Sequence, residues 1–255
     1  MRYHNKHYKR SKKNTKRSRR PRLNFSEKVL SVLNKQRELK IATQSGELPI
    51  QDIINDTTVL RIMPEVVQAG NTAAVSAAAQ EFYRDGNQIN IKKVVIRYWL
   101  TQKVPADGAL SRVVVRHLIL RQKGVSGGVI TEDPTQFRSN TLLENARPFQ
   151  GTIPDLQTPV NKAEFVARMD KRHYLSTPTI NQAQLDIDAD QVNSFKMGQK
   201  TLTFGKGKTI TYATGGAANS SNFPYFMTLG GATVDGNIIS GVLFNYTSTV
   251  YFHDS

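Results

Sequence analysis

The segment QINIKKVVIRYWLTQK, residues 88–103, carries the strongest β-strand signal in the chain. Its apolar residues are mostly β-branched or aromatic, which favours a strand; they include Ile89, Ile91, Val94, Ile96 and Tyr98. The segment SGVLFNYTSTVYFHD, residues 240–254, alternates more strictly. Residues of one parity in this segment are largely apolar, which predicts a strand with one buried face; they are Val242, Phe244, Tyr246, Ser248, Val250 and Phe252.

Six further segments have strand character and bring the count to eight; they are residues 58–67, 111–123, 165–177, 201–204, 209–214 and 223–229. The sequence GKGK at 205–208 predicts a hairpin turn between two of them. Clear helical patterns between strands are absent, which argues against a parallel α/β sheet. We therefore predict an all-β fold, an eight-stranded antiparallel jelly roll built as a two-sheet sandwich. Residues 124–162 are expected to form a long functional loop.

The composition excludes several classes of site and partner. There is no cysteine, so the fold uses no disulfide, thiolate zinc site or cysteine nucleophile. No segment approaches the roughly 18–20 apolar residues of a membrane-spanning helix, so no membrane partner is expected. No apolar h-region follows the N-terminal charges, which argues against a secretory signal.

Residues 1–22 carry eleven Lys or Arg and no acid. The formal net charge of +15 thus divides into about +11 here and about +4 on the rest. A block of like charges is expected to stay disordered until a polyanion neutralises it, and nucleic acid gains affinity by releasing counterions. The candidate nucleic-acid-binding residues of this arm are Arg2, Lys6, Lys9, Arg10, Lys12, Lys13, Lys16, Arg17, Arg19, Arg20 and Arg22.

Residues 24–41 show an approximate helical stripe of apolar side chains, which predicts a short amphipathic helix after the arm. Its basic residues are expected to support binding by the arm; they are Lys28, Lys35, Arg37 and Lys40. The predicted organisation is a disordered arm at 1–22, a helix and linker at 23–45, and a β domain at 46–255.

Asp186, Asp188 and Asp190 stand at alternate positions, a spacing at which carboxylates meet a calcium ion. Gln191 and Met197 occupy the positions where an EF-hand needs its glycine and final acid, so the motif is not an EF-hand. A solvated acidic loop and a calcium site between subunits remain the two interpretations. The histidines lack metal-binding spacing and no nucleophile elbow is present, so no catalytic residue and no required cofactor are expected.

Trp99 is expected in the core or in a subunit interface rather than as a platform for a stacked base.

The order of a basic arm, a short helix and an eight-stranded β domain resembles the single jelly-roll capsid proteins of small icosahedral viruses. The resemblance is strongest to capsids of circular single-stranded DNA viruses that encode a replication initiator, and the layout is similar to the satellite tobacco necrosis virus capsid. It implies that the arm and helix face the particle interior and bind the genome. It also implies that the loop at 124–162 is exterior or contacts another subunit, and that the aspartates are a candidate metal-bridged interface.

The function that follows is a non-enzymatic capsid protein that assembles into a shell of about 60 copies (T=1) and packages a single-stranded genome, expected to be DNA. Its partners would be further copies of itself, the genome and host nuclear import factors that read the arm as a nuclear localisation signal. It would reside in the virion, and in the host nucleus during assembly.

Two alternatives remain. A ribosomal-type nucleic-acid-binding protein with a basic tail is disfavoured by the small excess of about +4 outside the arm. A jelly-roll lectin or enzyme with an unrelated basic leader would need a cluster of histidines and carboxylates.

Overall fold

The computed structural model describes residues 24–25, 39–68, 83–103, 112–175, 192–214, 217, 219–233, 239 and 241–254. Residues 38–255 form one compact unit, and residues 1–37 form another. The predicted arm at 1–22 and nearly all of the predicted helix lie outside the described residues.

The described residues contain seven strands in two antiparallel sheets, so the all-β, two-sheet prediction is confirmed, while the predicted strand count of eight is wrong by one. One sheet has the order β1-β7-β2-β5 and the other the order β4-β3-β6. The strands are β1 (Lys40–Pro49), β2 (Gln88–Lys103), β3 (Val113–Gln122), β4 (Phe165–Leu175), β5 (Val192–Thr211), β6 (Phe226–Thr233) and β7 (Val242–Asp254).

The strand pairs are nested along the chain. β1 pairs with β7, β2 with β5 and β3 with β4, so each pair lies inside the previous one in sequence. Between the first two pairs, Leu60 forms an isolated antiparallel bridge to Met227 of β6, with N–O distances of 2.7 and 3.0 Å. The chain therefore folds back on itself about the β3–β4 connection.

The two regions predicted least accurately from sequence lie near the start of the β domain. β1 begins at Lys40, so the end of the predicted helix at 24–41 and part of the linker at 23–45 are strand instead. The predicted strand at 58–67 is reduced to the single bridge at Leu60.

The predicted hairpin at GKGK is also wrong. Residues 201–204 and 209–211 belong to the same strand, β5, and both pair with β2. Lys208 of β5 lies opposite Ile91 of β2, and the next paired residue of β5, Thr203, lies opposite Lys93. The four residues between them, 204–207, therefore loop out of one continuous strand. Gly205 and Gly207 have positive φ angles of 54° and 106°, which let the backbone make this excursion.

The main core lies between the sheets. Every residue of the predicted inward parity of β7 is buried, which confirms the strand at 240–254. In β2 the buried residues change parity, from Ile89 and Ile91 to Val94 and Ile96, because Lys92 is an extra residue in a bulge against β7. The bulge keeps one face of a long strand inward along its whole length.

A second apolar cluster covers the outward face of the three-stranded sheet. The connection between β3 and β4 contains two short helices, α1 (Gly127–Glu132) and α2 (Ile153–Gln157), and packs against Leu118, Leu120 and Phe226. Its buried apolar residues include Ile130, Phe137, Leu142, Leu143, Phe149, Leu156 and Val160. The stretch at 124–162 is therefore an integral layer of the fold.

The fully buried Arg116 joins this layer to the sheet. Its guanidinium forms a two-pronged ion pair with Asp170 of β4, at 3.0 and 2.6 Å. It also donates to the carbonyl oxygens of Asp155 and Thr158 at 2.5 and 2.8 Å. Each buried charge thus has matched partners, as burial of an arginine requires.

Two glycines make room for two buried tyrosines on the inward face of the four-stranded sheet. Register places Gly46, Tyr246, Tyr98 and Gly198 side by side across β1, β7, β2 and β5. A Cβ on Gly198 would lie 2.4 Å from the phenol of Tyr98, which is itself fixed among core rings.

We expect Gly198→Ala to lower the free energy of unfolding by about 1–3 kcal/mol, because it overpacks the core beside Tyr98. For a domain of this size this corresponds to a drop of roughly 3–10 °C in the unfolding midpoint. Gly86→Ala is the matched control, since a Cβ there meets nothing within 4 Å. Equal midpoints for the two variants in thermal unfolding would contradict the packing argument.

Two histidines are buried between the sheets. His117 of β3 is fully buried, His173 of β4 is 5 % exposed, and both rings meet the ring of Tyr98 edge-on, at centroid distances of 4.7 and 5.4 Å. Within the described residues, both ring nitrogens of His117 and Nε2 of His173 lack a hydrogen-bond partner. Burial, reinforced by the charge of Lys171, lowers the pKa of both; that of His173 falls to about 4.

We expect the protein to lose stability as the pH falls below about 6.5. The folded pKa values lie below the unfolded value, so the unfolded chain takes up protons first and is favoured as the pH falls towards the folded value. His173 alone contributes a loss of about 2 kcal/mol between pH 7 and pH 5. Denaturant unfolding across this range should show the loss, and it should be smaller in His117→Leu/His173→Leu. An identical pH dependence in both proteins would refute the role of the pair.

Candidate nucleic-acid interface

The outward face of the four-stranded sheet is open within the described residues. Its side chains line up in rows across the strands, because the registers of β1, β7, β2 and β5 match. One row contains Ser45, Thr247, Arg97 and Gln199, and three of these four side chains are exposed. The outward face of the three-stranded sheet, in contrast, is largely covered by the second core, apart from an apolar groove beside Ile153 and Tyr174.

Positive charge is concentrated on the paired strands β2 and β5. Their sequences contain eight Lys or Arg and no acid, although residues 38–255 as a whole carry 21 Lys and Arg against 19 Asp and Glu. We call the seven described side chains of this set the basic strand pair; they are Lys92, Lys93, Arg97, Lys196, Lys200, Lys206 and Lys208.

The ion pairs of the domain lie elsewhere. Six other cations pair with carboxylates, and none of the basic strand pair does so within the part of the chain that the structure describes; the six are Lys40, Arg61, Arg116, Arg138, Arg147 and Arg172. Clustered cations without internal counterions create a positive potential that attracts a polyanion.

Aromatic and apolar side chains lie on the outward face together with Lys93 and Arg97. Trp99 is partly exposed beside Met197, which is 72 % exposed, and Phe195 follows on β5 at 54 %. The ammonium of Lys93 lies 4.2 Å from the ring centroid of Tyr251. The prediction that Trp99 is a core residue is wrong, while a subunit contact and a stacking platform both remain compatible with its position. Cations interleaved with aromatic rings are typical of surfaces that bind single-stranded nucleic acid.

Lys40 does not belong to this surface. It begins β1, and its ammonium pairs with Asp254 and, at 3.1 Å, with Asp85. Partial burial lowers the pKa of Lys40, but its hydrogen bonds to the two carboxylates outweigh burial and raise it. The structure gives Lys40 a role in joining the ends of β1 and β7, and its role in supporting the arm stays a prediction.

The other predicted site residues lie outside the described residues. These are the eleven cations of the arm at 1–22, together with Lys28, Lys35 and Arg37, and the aspartates Asp186, Asp188 and Asp190. Among the residues that the structure does describe, no group of three or more His, Cys, Asp or Glu is placed to hold a metal ion. No described helix has the length and apolar character needed to cross a membrane.

Sequence reasoning missed Lys93, Arg97, Lys196 and Lys200 as candidate binding residues, because it averaged charge over the whole β domain. A signal was present: both strand segments lack any acid. Only the strand order brings them side by side.

Comparison with protein-family models and with curated proteins found no match.

We expect Arg97→Gln/Lys196→Gln to weaken binding of the full-length protein to single-stranded oligonucleotides. Each lost phosphate contact should reduce the slope of log K against log salt by about 0.7. The control is Lys123→Gln/Lys162→Gln, which removes the same charge from exposed residues at the other sheet. Fluorescence anisotropy over a salt series measures both slopes, and equal slopes would show that only net charge matters.

Proposed function

We propose that this protein is the capsid protein of a small icosahedral virus, which assembles into a shell of about 60 copies and packages a single-stranded genome, DNA rather than RNA. The observation that carries the proposal is the separation of charge, with eleven cations and no acid in residues 1–22 ahead of a β domain that is nearly balanced. A free chain gains little from such a segment, whereas an enclosed polyanion neutralises it.

The nested strand pairs support a jelly roll as the finer description of the fold. Counting the segment at Leu60 as a second strand gives eight strands that pair first with eighth, second with seventh, third with sixth and fourth with fifth. An antiparallel ribbon with this pairing, rolled into two facing sheets, is a jelly roll. The sheet orders β1-β7-β2-β5 and β4-β3-β6 are compatible with this arrangement.

Exposed apolar side chains support self-association. Ile153 and Tyr174, at 46 % and 68 % exposed, border an apolar groove of about 230 Å³ on the three-stranded sheet. Phe195 and Met197 are exposed on the other sheet. Large apolar side chains grouped in this way are typical of protein–protein interfaces, which a shell of identical subunits provides for each copy.

The number of positive charges in the arm is sufficient for packaging a small genome. A shell of about 60 copies would enclose roughly 660 positive charges from residues 1–22, enough to neutralise several hundred phosphates or more. Individual arms need not bind tightly, because many act on one polymer. In this proposal the protein is not an enzyme and resides in the virion. The arm would double as a nuclear localisation signal, read by host import factors before assembly.

A ribosomal-type nucleic-acid-binding protein is the second candidate, because the basic strand pair gives the folded domain a binding surface of its own. The two functions differ in assembly. A shell protein forms closed particles of uniform size, whereas a binding module forms complexes whose size follows that of the nucleic acid.

We expect electron microscopy of the purified full-length protein to show uniform shells, with a nucleic-acid-rich ratio of absorbance at 260 and 280 nm. Deletion of residues 2–22 should remove the nucleic acid and leave the β domain folded, which circular dichroism and thermal unfolding check. Discrete monomers or small oligomers across a range of salt and calcium concentrations would refute the capsid function. Normal packaging by the deletion variant would refute the role of the arm.

A further inference from the structure

A cavity of about 140 Å³ lies where the edge of the four-stranded sheet approaches the edge of the three-stranded sheet. It is lined by residues of β4, β5 and the segment before β6, and none of them is acidic; the lining is Arg168, Lys200, Thr201, Leu202, Thr203, Phe204 and Tyr225. The volume is roughly ten times the ~15 Å³ needed by one water, so the cavity has room for a hydrated phosphate group.

Arg168 is held towards this cavity by the local backbone. Pairing of β3 with β4 passes from Met169 opposite Ile119 to Ala167 opposite Leu120, so Arg168 is the extra residue of a β-bulge. A bulge re-aims the side chain that it carries and is frequent beside binding sites. Arg168 thus leaves the regular alternation of β4 at the point where the cavity opens.

The guanidinium of Arg168 is fixed by Tyr225. Its Nε donates to the hydroxyl oxygen of Tyr225 at 2.8 Å, and its central carbon lies 5.4 Å from the ring centroid. Within the described residues, its two terminal nitrogens make no hydrogen bond. An arginine held through Nε keeps a planar pair of donors ready for an anion and loses little entropy on binding.

The other cation comes from β5. Lys200 has no carboxylate partner within the described residues, and its register opposite Ile96 places it on the inward side of β5, where the cavity lies. Thr201 and Thr203 lie opposite Val95 and Lys93 of β2, so the cavity borders the basic strand pair. Two cations at one cavity with no acidic lining are suited to a phosphate, whose oxygens accept from both.

We propose that this cavity, the Arg168 pocket, binds a backbone phosphate of the single-stranded nucleic acid that the shell encloses. The inference depends on the proposed function, since packaging supplies the ligand. A strand that follows the basic strand pair across the open face reaches the pocket at the edge of β5, and Arg168 and Lys200 hold one phosphate there. The folded domain then fixes the position of the nucleic-acid strand, whereas the arm attracts the strand without fixing its position.

The test compares Arg168→Gln/Lys200→Gln with Lys123→Gln/Lys162→Gln in the full-length protein stripped of nucleic acid. The probe is a fluorescein-labelled oligothymidylate of about twelve nucleotides, within the length range that single-strand-binding domains occupy. Loss of one phosphate contact predicts about four-fold weaker binding at 0.15 M salt and a salt slope smaller by about 0.7. The control should bind like the unaltered protein, and equal losses in both variants would overturn the proposal.

Two further measurements identify the ligand. An abasic oligomer of the same length should show the same loss, because the pocket binds the phosphate; a loss seen only with bases would overturn the proposal. Sedimentation of the assembled particles should be unchanged, and an assembly defect with normal oligomer binding would assign the pocket to a subunit contact instead. Lys200→Gln alone, which removes no internal bond, keeps the test valid if the double variant folds poorly.

The outcome is separable from that of the proposed function. Failure of the pocket leaves shells that package nucleic acid through the arm, whereas failure of the capsid function leaves no shells at all.

Discussion

The constraint on which the rest of the structure depends is the position of β7 inside the four-stranded sheet. The last strand of the chain pairs along its length with both β1 and β2, so the sheet is complete only when the two ends of the β domain meet. Lys40 of β1, paired with Asp254 of β7, strengthens this closure at the sheet's edge. Because these pairings join residues far apart in sequence, their entropy cost is high and the apolar core must offset it.

The two sheets differ in how far their outward faces are buried. The three-stranded sheet buries both faces of its central strand β3, which is accordingly apolar at nearly every position from Val113 to Leu120, whereas its edge strand β4 is partly exposed. The four-stranded sheet buries one face only, so β7 alternates. This asymmetry leaves the outward face of the four-stranded sheet available for charge; Lys93 and Arg97 lie on it, whereas Lys196 and Lys200 lie on the inward side of the edge strand β5.

The strands that could be predicted from the sequence are those in which apolar and polar residues alternate. The bounds of β2 and the buried parity of β7 were predictable because one face of each strand meets the core. β1 was missed because its inward positions include Ala42, Gln44 and Gly46, which are small or polar and so lack an apolar pattern; Gly46 is the one that makes room for Tyr246. The bulges at Lys92 and Arg168 depend on long-range pairing, and no local sequence pattern predicts them. The cations of the candidate interface were visible in the sequence, but their adjacency required the strand order.

Placing like charges on neighbouring strands works against folding. No two of the described cations lie directly opposite each other across β2 and β5, but like charges on the two strands still repel at longer range, and acids distributed among them would remove this cost. The domain uses such acids elsewhere: Asp170 and Asp155 neutralise Arg116 and Arg147, and Asp85 neutralises Lys40. Solubility alone requires no segregation of charge, since mixed signs serve it equally well. In the proposed function, a polyanion supplies the missing counterions of the acid-free strand pair and of the acid-free arm, and the same contacts would stabilise the folded domain and hold the polymer.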